Sequence, residues 1–216
     1  MEATNLKIIR SFIIIISLIG NNITVAIKKD TICIIPARYG SKRIKKKNIK
    51  NFFGKPIIYY PIKESKKSKL FKNIYISTDS KLILNITKKF GATVPFLRDK
   101  KISDDKTGTE KVIKEFLKKI DNSKIENIFC IYPASPLIKS IDLKKAFKIF
   151  KKNKLDYLVT IAKFNSNPER SIILNKNSIK FKYPKNINKN SQEFKDQYFD
   201  TGNFYIYSNK YLLGKS

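Results

Sequence analysis

The sequence contains no histidine and only two cysteines among its 216 residues. The absence of histidine excludes a Ser-His-Asp triad, a histidine metal site and an imidazole proton shuttle. Cys33 and Cys130 each lie within an apolar run, which is typical of small buried side chains rather than of a disulfide or metal framework. Chemistry in this chain therefore depends on lysine, arginine, carboxylates, hydroxyls and backbone amides.

Acidic residues are also scarce, since 17 Asp and Glu stand against 46 Lys and Arg, a formal net charge of +29. Such a charge is typical of nucleic-acid-binding proteins. The lysines are spread along the whole chain, however, together with many Ile and Asn residues. That distribution favours a compositional bias toward AT-rich codons, and we therefore expect no nucleic-acid partner.

No apolar run near the start is long enough for a comfortable membrane span. The run at residues 11–20 follows Lys7 and Arg10, and residues 24–26 offer a passable cleavage site. These features resemble a signal peptide or an interfacial anchor. The alternative is an extension outside the folded domain, so we treat residues 1–30 as a separate N-terminal segment and leave its membrane contact open.

From residue 31 onward, buried-type apolar runs alternate with helical patterns. Hydrophobic residues make up 42% of the chain, enough for one domain with a sizeable core. The pattern predicts strands at 31–36, 73–78, 93–96, 127–133, 156–162 and 203–208. This alternation indicates an α/β fold with a mostly parallel sheet flanked by helices. Residues 165–200 are polar and turn-rich, and they are predicted to form an inserted excursion.

The predicted helices are delimited by their capping signals. Pro56 is expected to open a helix at residues 57–69, because proline suits the first helical turn. Asp79 or Ser80 would cap a helix that runs through residue 90 and stops at Gly91. Apolar residues at helical spacing predict a helix after residue 108, and Ser140 is expected to cap the next one.

Ligands of open α/β sheets bind at the carboxyl ends of the strands, and the loop after the first predicted strand carries the clearest signal. This stretch, IIPARYGSKRIKKKNI at residues 34–49, offers cations and backbone amides, and Gly40 allows close approach of a ligand. It lacks the Gly-Lys-Ser/Thr ending of a Walker loop. The loop is therefore either a phosphate site or a solvated basic loop.

Three later segments carry polar residues that could bind a ligand but could equally serve an ordinary structural role. Asp79 follows the strand at 73–78 and would serve as a helix cap. Ser135 lies in a proline-bounded turn, and Asp200 and Asn203 flank a glycine that would form a hairpin turn.

Taken in order, these segments resemble the CMP-sugar synthetases, which are cytidylyltransferases that activate acidic sugars. The motifs are IIPARYGSKRIKKKNI, GKPII, IYISTDS, FGATVPFLRD, SDDKTGT, YPASPL and YFDTGNFY, spread over residues 31–213. The segments VPFLR, DDKTGT and NINKNSQEFKDQYFDTGNFY resemble most closely the pseudaminic acid cytidylyltransferases. Sialic acid enzymes usually carry Gln where this chain has Tyr132.

The resemblance implies a Rossmann-like, GT-A-like nucleotidyltransferase fold and transfer of CMP from CTP to an acidic nonulosonic sugar, with release of pyrophosphate. Mg²⁺ on the phosphates is the implied cofactor. It also implies a cytoplasmic homodimer, in which the excursion forms part of the dimer contact. Alternatives within the family are an N-acylneuraminate or legionaminate cytidylyltransferase, or an inactive copy.

The resemblance also implies roles for individual residues. Lys47 and Arg38 would be catalytic, with Lys47 stabilising charge on the α-phosphate and the leaving group. The implied nucleotide-binding residues are Arg38, Gly40, Ser41, Lys42, Asn48, Arg98 and Thr109. The implied sugar-side residues are Ser135, Arg170, Gln192, Asp200, Gly202 and Asn203. Asp200 is also a candidate magnesium ligand.

One departure from the family pattern concerns the end of the chain. Family members usually continue past the strand at 203–208 to a segment with closely spaced aspartates, which residues 209–216 do not contain. We therefore expect a cytidylyltransferase domain at 31–216 that lacks the family's C-terminal end and has a reduced affinity for Mg²⁺.

Overall fold

A six-stranded mixed sheet forms the centre of the computed structural model, which describes residues 11–15 and 30–214. Its strands and those of two small hairpins are β1 (Ser11–Ile15), β2 (Thr31–Pro36), β3 (Asn51–Phe52), β4 (Lys55–Pro56), β5 (Ile74–Ser77), β6 (Asn127–Ile131), β7 (Tyr157–Lys163), β8 (Ile172–Asn175), β9 (Ser178–Phe181) and β10 (Tyr198–Ser208). The α-helices are α1 (Tyr59–Ser68), α2 (Lys81–Lys88), α3 (Thr109–Lys118), α4 (Ser140–Lys152) and α5 (Asn209–Leu212).

The strand order of the main sheet is β1-β7-β10-β6-β2-β5. Strand β10 runs antiparallel to both of its neighbours, β6 and β7, whereas the other pairings in this sheet are parallel. The predicted α/β class with a mostly parallel sheet is therefore confirmed. Since β2 pairs with both β5 and β6, the loops that follow these three strands meet at one edge.

Apolar side chains of the central strands fill a core on each face of the sheet. Strand β6 is buried at every position, as is β2 as far as Ile35. One core cluster contains Cys33 and the other contains Cys130, so both cysteines are buried small side chains as predicted. Burial raises the pKa of the Cys33 thiol to about 12, so this thiol stays protonated near neutral pH.

The helix signals at Ser80 and Gly91 were predicted correctly, but the helix start predicted at Pro56 was wrong. The Ser80 hydroxyl caps α2 by accepting from the Ile83 amide, and Gly91 follows the helix with φ +77°. The helix ends at Lys88, slightly before the predicted end. Pro56 does not open a helix, because it pairs with Asn51 in the β3–β4 hairpin.

Two further local predictions need correction. Ser140 is the first residue of α4 rather than its cap, and the Glu64 carboxylate accepts its amide hydrogen at 2.7 Å. The predicted strand at 93–96 is reduced to a single parallel bridge between Thr93 and Tyr75. In both cases the backbone groups are satisfied by distant residues, which a local pattern does not reveal.

The excursion contains the β8–β9 hairpin, and all eight of its strand residues are exposed. Strand β10 begins at Tyr198, earlier than predicted, and carries a register irregularity between Asp200 and Tyr205. Gly202 lies inside this strand rather than in a hairpin turn.

The N-terminal segment contributes β1, which pairs in parallel with β7 from Ser11 opposite Tyr157 to Ile15 opposite Ile161. The proposed cleavage site at 24–26 lies outside the described residues. Across residues 11–15 and 30–214, no helix is long and apolar enough to cross a membrane.

Candidate active site

A cleft of about 440 Å³ opens where β2 and β6 end. It brings together much of the predicted site. The predicted residues that line it are Arg38, Ser41, Lys47, Asn48, Arg98, Thr109 and Gly202. The cleft is also lined by residues that sequence reasoning did not assign, among them Asp104, Asp105, Tyr132 and Tyr205.

The basic loop after β2 forms one wall of the cleft. A single 3-10 turn at Lys47–Ile49 ends this loop, preceded by Lys46 in the left-handed region at φ 54°. The Asn48 side chain is buried and donates from Nδ2 to the Arg38 carbonyl at 2.8 Å, which ties the two ends of the loop together. Arg38 and Lys47 both line the cleft.

Gly40 and Lys42 lie at the exposed rim of the loop. A Cβ atom at Gly40 would meet nothing within 4 Å, so packing in this structure does not require glycine there. The Lys42 side chain is 84% exposed and its ammonium lies 3.1 Å from the Asp105 carboxylate.

Arg98 is the most buried charged residue of the cleft, with 6% of its surface exposed. Its amide donates to the Thr78 carbonyl at 2.7 Å and its Nε donates to the Ser103 hydroxyl at 3.0 Å. Burial lowers the pKa of Arg98, while the Asp79 carboxylate opposes that shift. The backbone of Arg98 is therefore anchored at Thr78, and the bond from Nε to Ser103 orients its guanidinium.

Two buried polar atoms on residues that line this cleft have no hydrogen-bond partner among residues 11–15 and 30–214. They are Arg98 Nη2, a donor, and Asn48 Oδ1, an acceptor. Unpaired buried polar atoms are rare in folded proteins because each costs about 1–3 kcal/mol. A ligand that offers both an acceptor and a donor would satisfy them.

The loop at residues 103–108 brings two carboxylates to the cleft. Asp105 pairs with both Arg38 and Lys42, and the hydrogen bond from Arg38 is the largest cause of the lowered pKa of Asp105. Asp104 accepts from the Thr107 amide at 2.7 Å. Within the SDDKTGT motif, the adjacent acids beside a basic loop were the signal that sequence reasoning left unused.

Aromatic hydroxyls form another part of the cleft wall. The Tyr132 and Thr109 hydroxyls are 2.7 Å apart, and the Tyr205 hydroxyl donates to Asp200 Oδ2 at 2.5 Å. The other oxygen of Asp200 accepts from the Gly202 amide at 2.8 Å. Asp200 itself is exposed and does not line the cleft.

The remaining residues that were predicted to face the sugar lie in three separate places. Ser135 is buried, and its hydroxyl donates to the Asn203 carbonyl at 3.3 Å. Arg170 lines a separate depression of about 490 Å³ in the excursion, and Gln192 is exposed. The structure does not gather Arg170 and Gln192 into the main cleft, and the roles of all these residues stay predictions.

Comparison with known proteins places this fold and cleft in a defined family. Residues 32–215 match the family model described as cytidylyltransferase, and the chain belongs to this family. It is therefore a CTP-using nucleotidyltransferase by family. Cytidylyltransferases of this kind generally depend on a divalent metal ion.

Two curated relatives illustrate the similarity. A pseudaminic acid cytidylyltransferase of Campylobacter jejuni is 35% identical over 185 residues, covering 84% of this chain and 80% of the relative. An N-acylneuraminate cytidylyltransferase of Streptococcus agalactiae is 32% identical over 139 residues, covering 63% of this chain and 33% of the relative.

Among solved structures, the chain resembles a CMP:2-keto-3-deoxy-manno-octonic acid synthetase complexed with CTP. The TM-score is 0.66 at 17% identity, covering 87% of this chain and 77% of the other. At this identity the likeness shows the fold alone.

Proposed function

We propose that this protein transfers CMP from CTP to the anomeric hydroxyl of pseudaminic acid and releases pyrophosphate, in the cytoplasm, for surface-glycan or flagellin glycosylation. The observation that carries the proposal is the pair of buried, unpaired atoms on Arg98 and Asn48 in a cleft that also holds Arg38 and Lys47. A nucleoside triphosphate has the matching chemistry, because its base offers donors and acceptors and its phosphates are anionic.

The basic loop would bind the triphosphate. Arg38, Ser41 and Lys47 all line the cleft, so it offers two cations and a hydroxyl to the phosphates. In-line attack of the sugar hydroxyl on the α-phosphorus builds charge on the equatorial and leaving oxygens. A fixed cation such as Lys47 stabilises that charge more in the transition state than in the ground state. No covalent enzyme intermediate is needed, in keeping with a chain that contains no histidine.

The buried atoms would select cytosine. Arg98 Nη2 donates and Asn48 Oδ1 accepts. Cytosine and uracil present reversed donor and acceptor patterns at positions 3 and 4, so a rigid donor–acceptor pair distinguishes them. The contacts of Arg98 with Thr78 and Ser103 supply the rigidity.

The proposed divalent ion is Mg²⁺. Within the described residues no group of three or more His, Cys, Asp or Glu side chains converges on one point. Magnesium bound with nucleotide phosphates needs only one or two carboxylates, however, and Asp104 and Asp105 provide them in the cleft. Asp200 does not line the cleft, which makes this residue the poorer candidate. When bound, the ion would neutralise charge on the phosphates.

We also propose a homodimer formed through the excursion. Ile172, Leu174 and Ile179 of the β8–β9 hairpin are 55%, 79% and 68% exposed. Exposed apolar side chains concentrated on one hairpin mark an interaction surface. A second copy of the chain is the partner that the family resemblance favours.

The 32% identity to the neuraminate enzyme keeps a related acid as the alternative substrate. The deciding assay incubates the full chain with CTP, Mg²⁺ and a panel of pseudaminic, legionaminic and N-acetylneuraminic acids, and it measures pyrophosphate release. Release with pseudaminic acid alone is expected, and UTP in place of CTP should abolish it. Release with another acid overturns the substrate, while no release from a folded sample supports an inactive family member.

A further inference from the structure

Tyr205 and Asp200 form a hydroxyl–carboxylate pair that none of the functions described so far uses. The Tyr205 side chain lines the cleft and its residue is only 8% exposed. Its hydroxyl lies 2.5 Å from Asp200 Oδ2. Asp200 is on the exposed side of the pair, outside the cleft.

The backbone of β10 is distorted where it carries this pair. Residues five positions apart on a regular strand point to opposite faces, so Asp200 and Tyr205 would not meet. Here Asp200 pairs with Ile161 and Tyr205 with Val159, so five steps along β10 correspond to two steps along β7. The surplus residues bulge out of the sheet, and the bulge brings the two side chains together.

Gly202 makes the bulge possible. It has φ +60°, in the region that glycine adopts at little cost, and its amide donates to Asp200 Oδ1 at 2.8 Å. The same turn of backbone therefore bends the strand and fixes the carboxylate. Bulges of this kind re-aim side chains next to active sites.

The chemistry of the pair fixes the direction of its hydrogen bond. An ionised carboxylate can only accept, so the Tyr205 hydroxyl must donate its hydrogen to Asp200. The lone pairs of the tyrosine oxygen then remain as acceptors, which a substrate hydroxyl would share with the neighbouring Tyr132 hydroxyl, a second hydrogen-bonding partner of Tyr205 in the cleft. Burial, followed by the bond to Asp200, raises the pKa of Tyr205, so its phenol stays protonated at neutral pH. The cleft is thus presented with an acceptor that suits a substrate hydroxyl.

Resting on the proposed function, we propose that Tyr205 accepts the proton of the attacking sugar hydroxyl and passes its own proton to Asp200. As the sugar O–H bond breaks, the sugar oxygen bonds to the α-phosphorus and the bond from phosphorus to the pyrophosphate oxygen breaks. Tyr205 gives its own proton to Asp200 as it gains the sugar proton, so no tyrosinate accumulates. Asp200 ends protonated, and its exposure lets the proton pass to water.

Two variants test this step, each with a folding check by thermal melting. Tyr205→Phe removes the hydroxyl and keeps the ring, while Asp200→Asn keeps the hydrogen-bonding shape but accepts no proton at neutral pH. Both should lower kcat at least about tenfold, since a positioned general base contributes about 10²–10⁴-fold. The dissociation constant for CTP, measured by calorimetry, should stay within about twofold because neither change alters the phosphate or base contacts.

Tyr207→Phe is the matched control. Tyr207 lies on the same strand and is 4% exposed, but its ring stacks on Tyr157 and Tyr211 and does not line the cleft. We expect wild-type kcat for this variant, and turnover of the wild type should slow in heavy water. An unchanged kcat for Tyr205→Phe or Asp200→Asn, or a loss matched by weaker CTP binding, overturns the proton transfer alone. A wild type that releases no pyrophosphate with any acid overturns the proposed function and this step with it.

Discussion

At the scale of single residues, Lys47 offers the most direct test of how charge is stabilised. Its side chain lines the cleft together with Arg38. Lys47→Ala should lower kcat by about 10²-fold, because removing one preorganised group that stabilises transition-state charge costs about that much. Steady-state pyrophosphate release measures it. Lys45→Ala is the control, since Lys45 is an exposed lysine of the same loop outside the cleft. Turnover within about threefold of wild type would show that Lys47 does not stabilise the transition state.

Asp105 allows a second test at the scale of single residues, because its carboxylate pairs with the cations that would bind the triphosphate. Asp105→Asn should free Arg38 and Lys42, so CTP should bind roughly two- to fivefold more tightly in the absence of divalent ions, the range expected for exposed ion pairs. Calorimetry with a chelator present measures this affinity. Asp121→Asn, in an exposed turn with Ser123, is the control. Weaker CTP binding by Asp105→Asn without metal would contradict competition between the carboxylate and the phosphates.

The cleft residues that the sequence did not predict depend on partners that are distant along the chain. Asp105 meets Arg38 across 67 positions of the chain, and the pair is visible only after folding. Arg98 and Thr109, by contrast, were located because they belong to motifs that a family resemblance marks. Sequence therefore identified cleft-lining groups that belong to a continuous motif, but not the groups that neutralise or orient them from elsewhere.

At the scale of secondary-structure elements, strand and helix periodicity was sufficient for β2, β5, β6 and β7 and for helices α1 to α4, but it did not predict β1 as a strand of the sheet. Periodicity gave wrong predictions where a local helix or turn signal competes with hydrogen bonds between strands. Pro56 carries a helix-start signal, yet Phe53 and Gly54 have φ of 44° and 79° and turn the chain into a hairpin before α1 begins. Gly202 carries a turn signal, yet strand pairing on both sides absorbs it as a bulge.

The β8–β9 hairpin is the element whose exposed apolar side chains support the proposed dimer contact. Leu174 and Ile179 lie opposite each other in its register. Leu174→Glu should weaken the proposed dimer about tenfold or more, because a buried unpaired carboxylate is costly at an interface. Light scattering during size-exclusion chromatography gives the mass against 25.1 kDa for the monomer. Asn175→Glu, also exposed on β8, is the control. An unchanged mass for Leu174→Glu would exclude this hairpin as the dimer contact.

At the scale of the whole molecule, the formal net charge of +29 comes from lysines and arginines that are spread along the whole chain. Exposed lysines occur on elements as different as the basic loop, α1, α4 and the β8–β9 hairpin. We expect that duplex DNA will bind weakly at about 0.15 M salt and with a shallow salt dependence, since the exposed lysines are spread over different elements rather than concentrated on one. Fluorescence anisotropy across a salt series measures the slope. A log–log slope near −5 or steeper would show about six phosphate contacts and restore the nucleic-acid interpretation.

The position of β10 also has a consequence for synthesis on the ribosome. This strand is made after β6 and β7 but is inserted between them. Until residues 198–208 emerge from the exit tunnel, β6 and β7 each present an open edge with unpaired backbone groups. Open apolar edges recruit other strands and favour aggregation. The centre of the sheet therefore stays open until nearly all of the described sequence has been translated. We expect the nascent chain to bind chaperones that shield such open strand edges.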